Sequence, residues 1–275
     1  ILLATARAGF GVGVFLSLVG TFVWFAADRT TAVLPVHTLI PMWNAAMRLG
    51  IFAGAAWLLA RLVREKERSE VLIHDMLPAP IADRLKRHEE IADRHADVSV
   101  LFADLVGFSE IAARCDLART MRALDGLCDD IDALVTAFGA EKIKTIGDAW
   151  MIASGVLDPC PDHAQRLIDL GLAMQARFRH VSWPDGTPVR LRVGVDTGPI
   201  IAGVMGTSRP VFDLWGDTVN VASRLEATGS DDAVHVSDRT RAALGSASYQ
   251  LEDRGTLLLK GVGGVHTWMV RAKKA

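Results

Sequence analysis

The sequence is poor in cysteine and nearly balanced in charge. Cys115, Cys128 and Cys160 are its three cysteines among 275 residues; they are scattered, and no CxxC pair occurs. That pattern excludes a disulfide framework and a zinc site and fits a reduced compartment. With 30 Lys and Arg against 32 Asp and Glu, the net charge is −2 and the pI about 6.5. No basic surplus exists to hold a polyphosphate backbone, so no nucleic-acid partner is expected. The GxxxxGK[ST] loop is missing as well, which excludes a P-loop nucleotide hydrolase.

Long apolar runs are what the N-terminal third does contain. Residues 8 to 27, AGFGVGVFLSLVGTFVWFAA, hold no charge over twenty positions. That is the length needed to cross a bilayer, and too long for a cleaved signal peptide. A second apolar stretch runs from Thr38 to Ala60 but includes Asn44 and Arg48, and a charge at mid-span costs on the order of 3 kcal/mol. The basic cluster RLVREKER from Arg61 has the character of a cytoplasmic flank. Two spans are therefore expected within residues 1–63, with a short outer loop near 28–37 and everything after residue 61 in the cytoplasm. The expected location is a multi-pass protein of the cell membrane. The sequence opens at Ile1 rather than Met, and the expectation is a segment of a longer chain.

Residues 64–95 are expected to form a helical linker continuing out of the membrane, either a solvated connection or a transmitting helix. The helix should end at LPAP, residues 77–80, because proline cannot continue it. A catalytic domain is expected over 96–275. Val98 to Ala103 reads as a strand, and Asp116 as the cap of a helix whose apolar positions run from Leu117 to Phe138 at helical spacing. EKIKTIGDAWMIAS, residues 141–154, is a hairpin turning at Gly147-Asp148; a second amphipathic helix spans 163–180, and a strand runs from Val189 to Gly198. This order predicts an α+β, ferredoxin-like fold, a mixed sheet with its helices on one face. GTLLLKGVGGVHTWMV predicts a further hairpin turning at KGVGG.

In VLFADLVGFS, residues 100–109, one carboxylate interrupts an apolar strand. An ionised Asp in that setting costs several kcal/mol unless something compensates it. Asp104 at the end of this strand and Asp148 at the hairpin tip can lie at one end of the sheet. Two neighbouring carboxylates with no His or Cys suit Mg²⁺ or Mn²⁺. The backbone of Leu105, Val106, Gly107 and Phe108 can turn N–H groups towards a phosphate. A capping Asp and a turn Asp account for the two carboxylates equally well. In RPVFDLWGDTVNVASRLEATG, residues 209–229, Asn220 and Arg224 are four apart and share a helix face.

FADLVGF, EKIKTIGDAWM, LRVGVDTGP and FDLWGDTVNVASRLE occur in that order. In order and spacing they resemble the class III nucleotidyl cyclases, in particular the membrane-anchored adenylyl cyclases of mycobacteria, over residues 71–275. The resemblance implies that Asp104 and Asp148 hold two Mg²⁺ or Mn²⁺ ions per site. It also implies that Lys144 and Asp213 select the base, that Asn220 and Arg224 serve the transition state, and that Lys260 contacts the triphosphate. Phe212 stands where Tyr is frequent, and Trp150 follows GDA where a smaller aromatic or Met is usual; neither removes a polar catalytic group.

The implied reaction makes 3′,5′-cyclic AMP and pyrophosphate from ATP by attack of the ribose 3′-oxygen on the α-phosphorus. It requires no histidine base, because paired ions supply the electrostatics. Asp213 accepting from the adenine amino group and Lys144 donating to a ring nitrogen favour ATP over GTP. The resemblance further implies a head-to-tail homodimer with composite sites. One chain provides Asp104 and Asp148, and the other provides Lys144, Asp213, Asn220 and Arg224. The alternatives are a catalytically silent module behind a membrane receptor and a guanylyl cyclase. The GG-[DE]-EF signature of diguanylate cyclases is absent.

Overall fold

The computed structural model describes residues 10–30, 39–206, 208–245 and 249–273. The chain divides into two compact units between Ala82 and Asp83.

The first unit contains helices α1 (Phe10–Thr30) and α2 (Leu39–Met76), which pack against each other. The apolar run expected at 8–27 is helical from Phe10 onward. Residues 8–9 and most of the expected outer loop lie outside the described residues. Among the described residues, one stretch is long and apolar enough to cross a bilayer, the 25 residues Met42–Lys66 within α2. Trp43, Ile51, Trp57 and Leu58 are exposed along it, and the Arg61 guanidinium lies over the Trp57 ring at 5.5 Å. The helix runs unbroken through the charged stretch that follows and ends at Met76, just before Pro78, as the missing N–H of proline requires. A short helix, α3 (Ala79–Lys86), follows.

The second unit is built from β1 (Ala92–Leu105), α4 (Phe108–Arg114), α5 (Leu117–Ala137), β2 (Glu141–Ile146), β3 (Ala149–Ser154), α6 (His163–Phe178), β4 (Leu191–Met205), β5 (Val211–Trp215), α7 (Asp217–Ala227), β6 (Val234–Ser237), α8 (Asp238–Ala243), β7 (Tyr249–Leu259) and β8 (Gly263–Lys273). The sheet order is β2-β3-β1-β4-β6-β8-β7, with β5 also paired to β4. Each of the first four strands in this order is antiparallel to its neighbour, the ferredoxin-like arrangement the element order predicts. β6 joins β4 in parallel and makes the sheet mixed. The strand expected at 98–103 is longer, since Ala92–His95 pair with Ile200–Gly203 beyond a bulge. The α5 cap is as expected: the Asp116 carboxylate accepts the Arg119 N–H at 2.9 Å.

Alternation along the central strands decides which side chains see which layer. Leu101, Ala103 and Leu105 of β1 and Leu191, Val193 and Val195 of β4 lie in one core with α5 and α6. Phe102, Asp104, Arg192 and Gly194 therefore point to the other face. The two helices that the element order places on one face, α5 and α6, do share this core, and α7, which the element order left unplaced, covers the second face. Gly194 makes this possible: a Cβ there would lie 2.1 Å from the Glu226 backbone nitrogen and 2.6 Å from the Ala222 carbonyl. Any side chain at 194 would push α7 off the sheet.

Candidate active site

The register puts Asp104 at the end of β1 opposite Ala149 on one side and Arg192 on the other. Asp148 sits immediately before Ala149, after the turn residue Gly147 in a left-handed conformation (φ 66°). The hairpin thus returns Asp148 beside Asp104, and the two charges interact. Burial first, and Asp104 second, push the Asp148 carboxyl above the usual carboxylate range. Arg192 forks between two carboxylates: its Nη2 donates to Asp104 Oδ2 at 2.8 Å and its Nε to Glu226 Oε1 at 3.0 Å. Glu226 is 12% exposed in its side chain. Burial, followed by the Asp104 charge, pushes its carboxyl up to about 7 against the pull of Arg192.

These residues suit a hard divalent cation. The donors are carboxylate oxygens, two of them mutually repelling, and a cation between them would relieve that repulsion. Among the described residues no group of three or more His, Cys, Asp or Glu side chains could enclose a metal. Two protein carboxylates leave most of a coordination shell to water and phosphate, as Mg²⁺ prefers.

The loop after Asp104 is more selective than its sequence suggests. Leu105 is buried in the core, and the Val106 N–H donates to the Arg190 carbonyl at 2.9 Å. Gly107 turns the chain with φ 73°, and the Phe108 ring packs on Trp183 with centroids 5.5 Å apart. The N–H groups of Gly107 and Phe108 precede or begin α4 and have no intrahelical acceptor. These two remain for the loop to offer to an anion, whereas the Val106 N–H is spent on Arg190.

Lys144 and Asp213, far apart in sequence, meet in space: Lys144 Nζ donates to Asp213 Oδ2 at 2.6 Å. The other Asp213 oxygen accepts the Leu214 N–H at 2.8 Å, which fixes the carboxylate. Val211 and Trp215 share the Asp213 face of β5, while Ile201 and Met205 face them from β4. All four are exposed, as is Ile146 near Lys144.

Asn220 and Arg224 are exposed on one side of α7, four residues apart, and their side chains make no hydrogen bond or ion pair among the described residues. Glu226 is two residues beyond Arg224, about 200° further round the helix. Since Glu226 faces Arg192 and Asp104, Arg224 faces away from the Asp104 of its own chain. Lys260 is exposed in the β7–β8 turn, next to Leu259, which packs on Val221 and Leu225 of α7. Trp150 and Phe212, the two unusual residues, are both buried and leave the polar site unaltered. The structure adds Arg192 and Glu226 to the residues assigned from sequence. Their only signal was a cation on the outward phase of an alternating strand and an acid within an otherwise buried helix turn.

Residues 90–272 match the family described as the adenylate and guanylate cyclase catalytic domain. The chain belongs to this family. An adenylate cyclase of Mycobacterium tuberculosis is 46% identical over 212 residues, covering 76% of this chain and 48% of that protein. A rat guanylate cyclase soluble subunit beta-2 is 36% identical over 211 residues, covering 76% and 31%. The crystal structure of the guanylate cyclase domain of RhGC from Catenaria anguillulae, in complex with GTP, superposes with a TM-score of 0.63 at 32% identity, covering 66% of this chain and 100% of that one. The chain spans about half the length of the curated adenylate cyclases it matches. The second unit is thus a cyclase catalytic domain, with the mixed sheet and helices of class III cyclases. The relatives include cyclases of both purines, so family membership alone does not choose the substrate.

Proposed function

We propose that the protein is an adenylyl cyclase converting ATP to 3′,5′-cyclic AMP and pyrophosphate. The observation that carries this reading is the Lys144–Asp213 pair at 2.6 Å. It sets a fixed acceptor beside a donor, the polarity that adenine presents through its amino group and a ring nitrogen. Guanine carries an oxygen in place of that amino group; Asp213 would then meet an acceptor instead of a donor, a mismatch that sites of this kind reject strongly.

Asp104 and Asp148 are the residues that would hold two Mg²⁺ or Mn²⁺ ions. Bound there, such ions lower the pKa of a coordinated hydroxyl and offset triphosphate charge. The chain's own groups supply the rest. The Gly107 and Phe108 N–H groups and Lys260 bind phosphate oxygens. Asn220 orients the ribose so that its 3′-oxygen stands in line with the α-phosphorus. Arg224 stabilises the negative charge that grows on the α-phosphate as pyrophosphate leaves. Positioning and electrostatics of this sort carry most of phosphoryl transfer.

The site is completed by a second copy of the chain in a head-to-tail homodimer. Two observations support this: Arg224 points away from its own Asp104, and exposed Ile201, Met205, Val211 and Trp215 surround Asp213, an apolar face of the kind that marks an interface. The first unit anchors the dimer at the cell membrane by two spans, α1 and the apolar part of α2, with the catalytic domain on the cytoplasmic side. The charged part of α2 is, in sequence, the helical linker between the spans and the catalytic domain, and is able to set dimer geometry.

The test uses the full chain in detergent with ATP or GTP and Mn²⁺, with products identified by mass spectrometry. Cyclic AMP from ATP, lost in Asp148→Ala, is the expected result. Cyclic GMP at a comparable rate would overturn the base assignment, and no cyclic nucleotide from a folded dimer would overturn the enzyme assignment.

A further inference from the structure

The Arg192 fork joins two elements that face different sites in the proposed dimer. Its Nη2 reaches Asp104 at the end of β1, and its Nε reaches Glu226 on α7. Arg192 lies directly across the ladder from Asp104, so a short cross-strand span suffices for the first bond. The second bond depends on the close approach of α7 to the sheet at Gly194. Asp104 Oδ1 makes no hydrogen bond among the described residues, while Oδ2 is held by the guanidinium. One oxygen is therefore tethered and the other left open.

We propose that Arg192 is a positioning residue for the Asp104 carboxylate and that Glu226 serves to hold Arg192 in place. The inference rests on the reading of Asp104 as a metal ligand. Its physical basis is that a ligand carboxylate with a locked rotamer loses less freedom when a cation arrives. Charge alone points the other way: a cation next to Asp104 repels a divalent ion. The two effects are separable by a substitution that keeps the charge and removes the fork.

Arg192→Lys is that substitution, because a single ammonium cannot bond both carboxylates in the guanidinium geometry. Mn²⁺ binding to the full chain in detergent would be followed by electron paramagnetic resonance, with folding checked by circular dichroism. Arg192→Lys is expected to weaken Mn²⁺ binding about tenfold, the usual scale for losing an outer-shell partner. Glu226→Leu, which leaves Asp104 and Arg192 intact, is expected to weaken it in the same direction. Glu226→Gln, whose amide oxygen still accepts from Arg192 Nε, is expected to restore most of the affinity. Glu226→Leu and Glu226→Gln carry the test by themselves if Arg192→Lys does not fold.

Binding within about twofold of wild type in both Arg192→Lys and Glu226→Leu, with Asp104→Ala binding lost, would overturn the positioning role and leave the metal assignment standing. Unchanged Mn²⁺ binding in Asp104→Ala would overturn the metal assignment, and the positioning role with it.

Discussion

At the residue scale, the proposed function separates groups assigned to the base from groups assigned to the reacting phosphate. Lys144 and Asp213 touch neither the carboxylate pair nor Arg224, so their loss should be felt in substrate selection. Lys144→Ala is expected to lower kcat/KM for ATP by roughly 10- to 100-fold and to narrow the preference for ATP over GTP, as loss of a hydrogen bond to a buried partner does. Arg224 is exposed and uncommitted in the free chain, as a group reserved for a developing charge would be. Arg224→Ala is expected to reduce kcat by about 10²–10³ with KM changed only a few-fold. Steady-state kinetics on both variants check the division; a KM effect at Arg224 with kcat intact would reverse it.

The element that matters most is α7. It carries Asn220 and Arg224 outward, Glu226 inward, and Val221 and Leu225 into a small core with Leu259. Its tail is held by His235 of β6, whose Nδ1–H donates to the Leu225 carbonyl at 2.8 Å. Burial pulls the His235 imidazole down to about 4, against the opposing effect of that bond. Its folded pKa lies below the unfolded value near 6.5, so the stability it contributes is present above pH 6.5 and lost as pH falls towards 4. Glu226 has the opposite sign. Its folded pKa, about 7, exceeds the unfolded value near 4.5, so its contribution is present below pH 4.5 and lost as pH rises through 7.

The two slopes oppose each other over nearly the same range. Thermal melts in metal-free buffer between pH 4 and 7.5 should therefore show a weak net dependence on these groups in the wild type. Glu226→Gln is expected to unmask acid sensitivity, and His235→Asn to unmask sensitivity to rising pH. Parallel pH profiles for the two variants would refute this account.

The seat of α7 at Gly194 makes a separate prediction. A methyl at 194 would meet backbone atoms of the helix, which cannot rotate away as a side chain does. Gly194→Ala is expected to destabilise the domain by about 2–3 kcal/mol or to shift α7, in the manner of an overpacked core. Chemical denaturation measures this, and a change below about 0.5 kcal/mol would mean that α7 sits further from the sheet.

For the whole molecule, the direction of Arg224 decides how many chains make a site. If Asp104 and Arg224 of one site come from different chains, Asp104→Ala and Arg224→Ala are each inactive alone yet complement one another. In a mixed dimer one site receives both defects and the other receives neither. Random exchange makes half the dimers mixed, so recovery of about a quarter of wild-type activity is expected. Pooled and exchanged chains that stay inactive would place the whole site within one chain.

How much of this was legible in the sequence differs from element to element. The strand around Asp104, the hairpin at Gly147-Asp148, the Asp116 cap and the tail hairpin follow from period-two alternation, turn chemistry and capping, all local properties of the chain. The end of that strand and the tip of that hairpin, taken as neighbours in the sheet, placed Asp104 and Asp148 at one end of it. Periodicity says that a side chain lies on a face; it does not say what covers that face. Hence the side on which α7 packs was not legible, because it is the missing Cβ of Gly194 that admits a helix there. Lys144 and Asp213 are 69 positions apart, Arg192 and Asp104 are 88 apart, and no local pattern pairs such residues. The sequence by itself determined the main elements around Asp104 and Asp148, the residue types they carry and, through its motifs, the family. Only the tertiary structure decided that Arg192 and Glu226 belong beside Asp104, that Val106 spends its N–H on Arg190, and that Arg224 turns away from its own chain's carboxylates. Those outcomes depend on the order in which distant strands join the sheet and on how closely a helix can approach it.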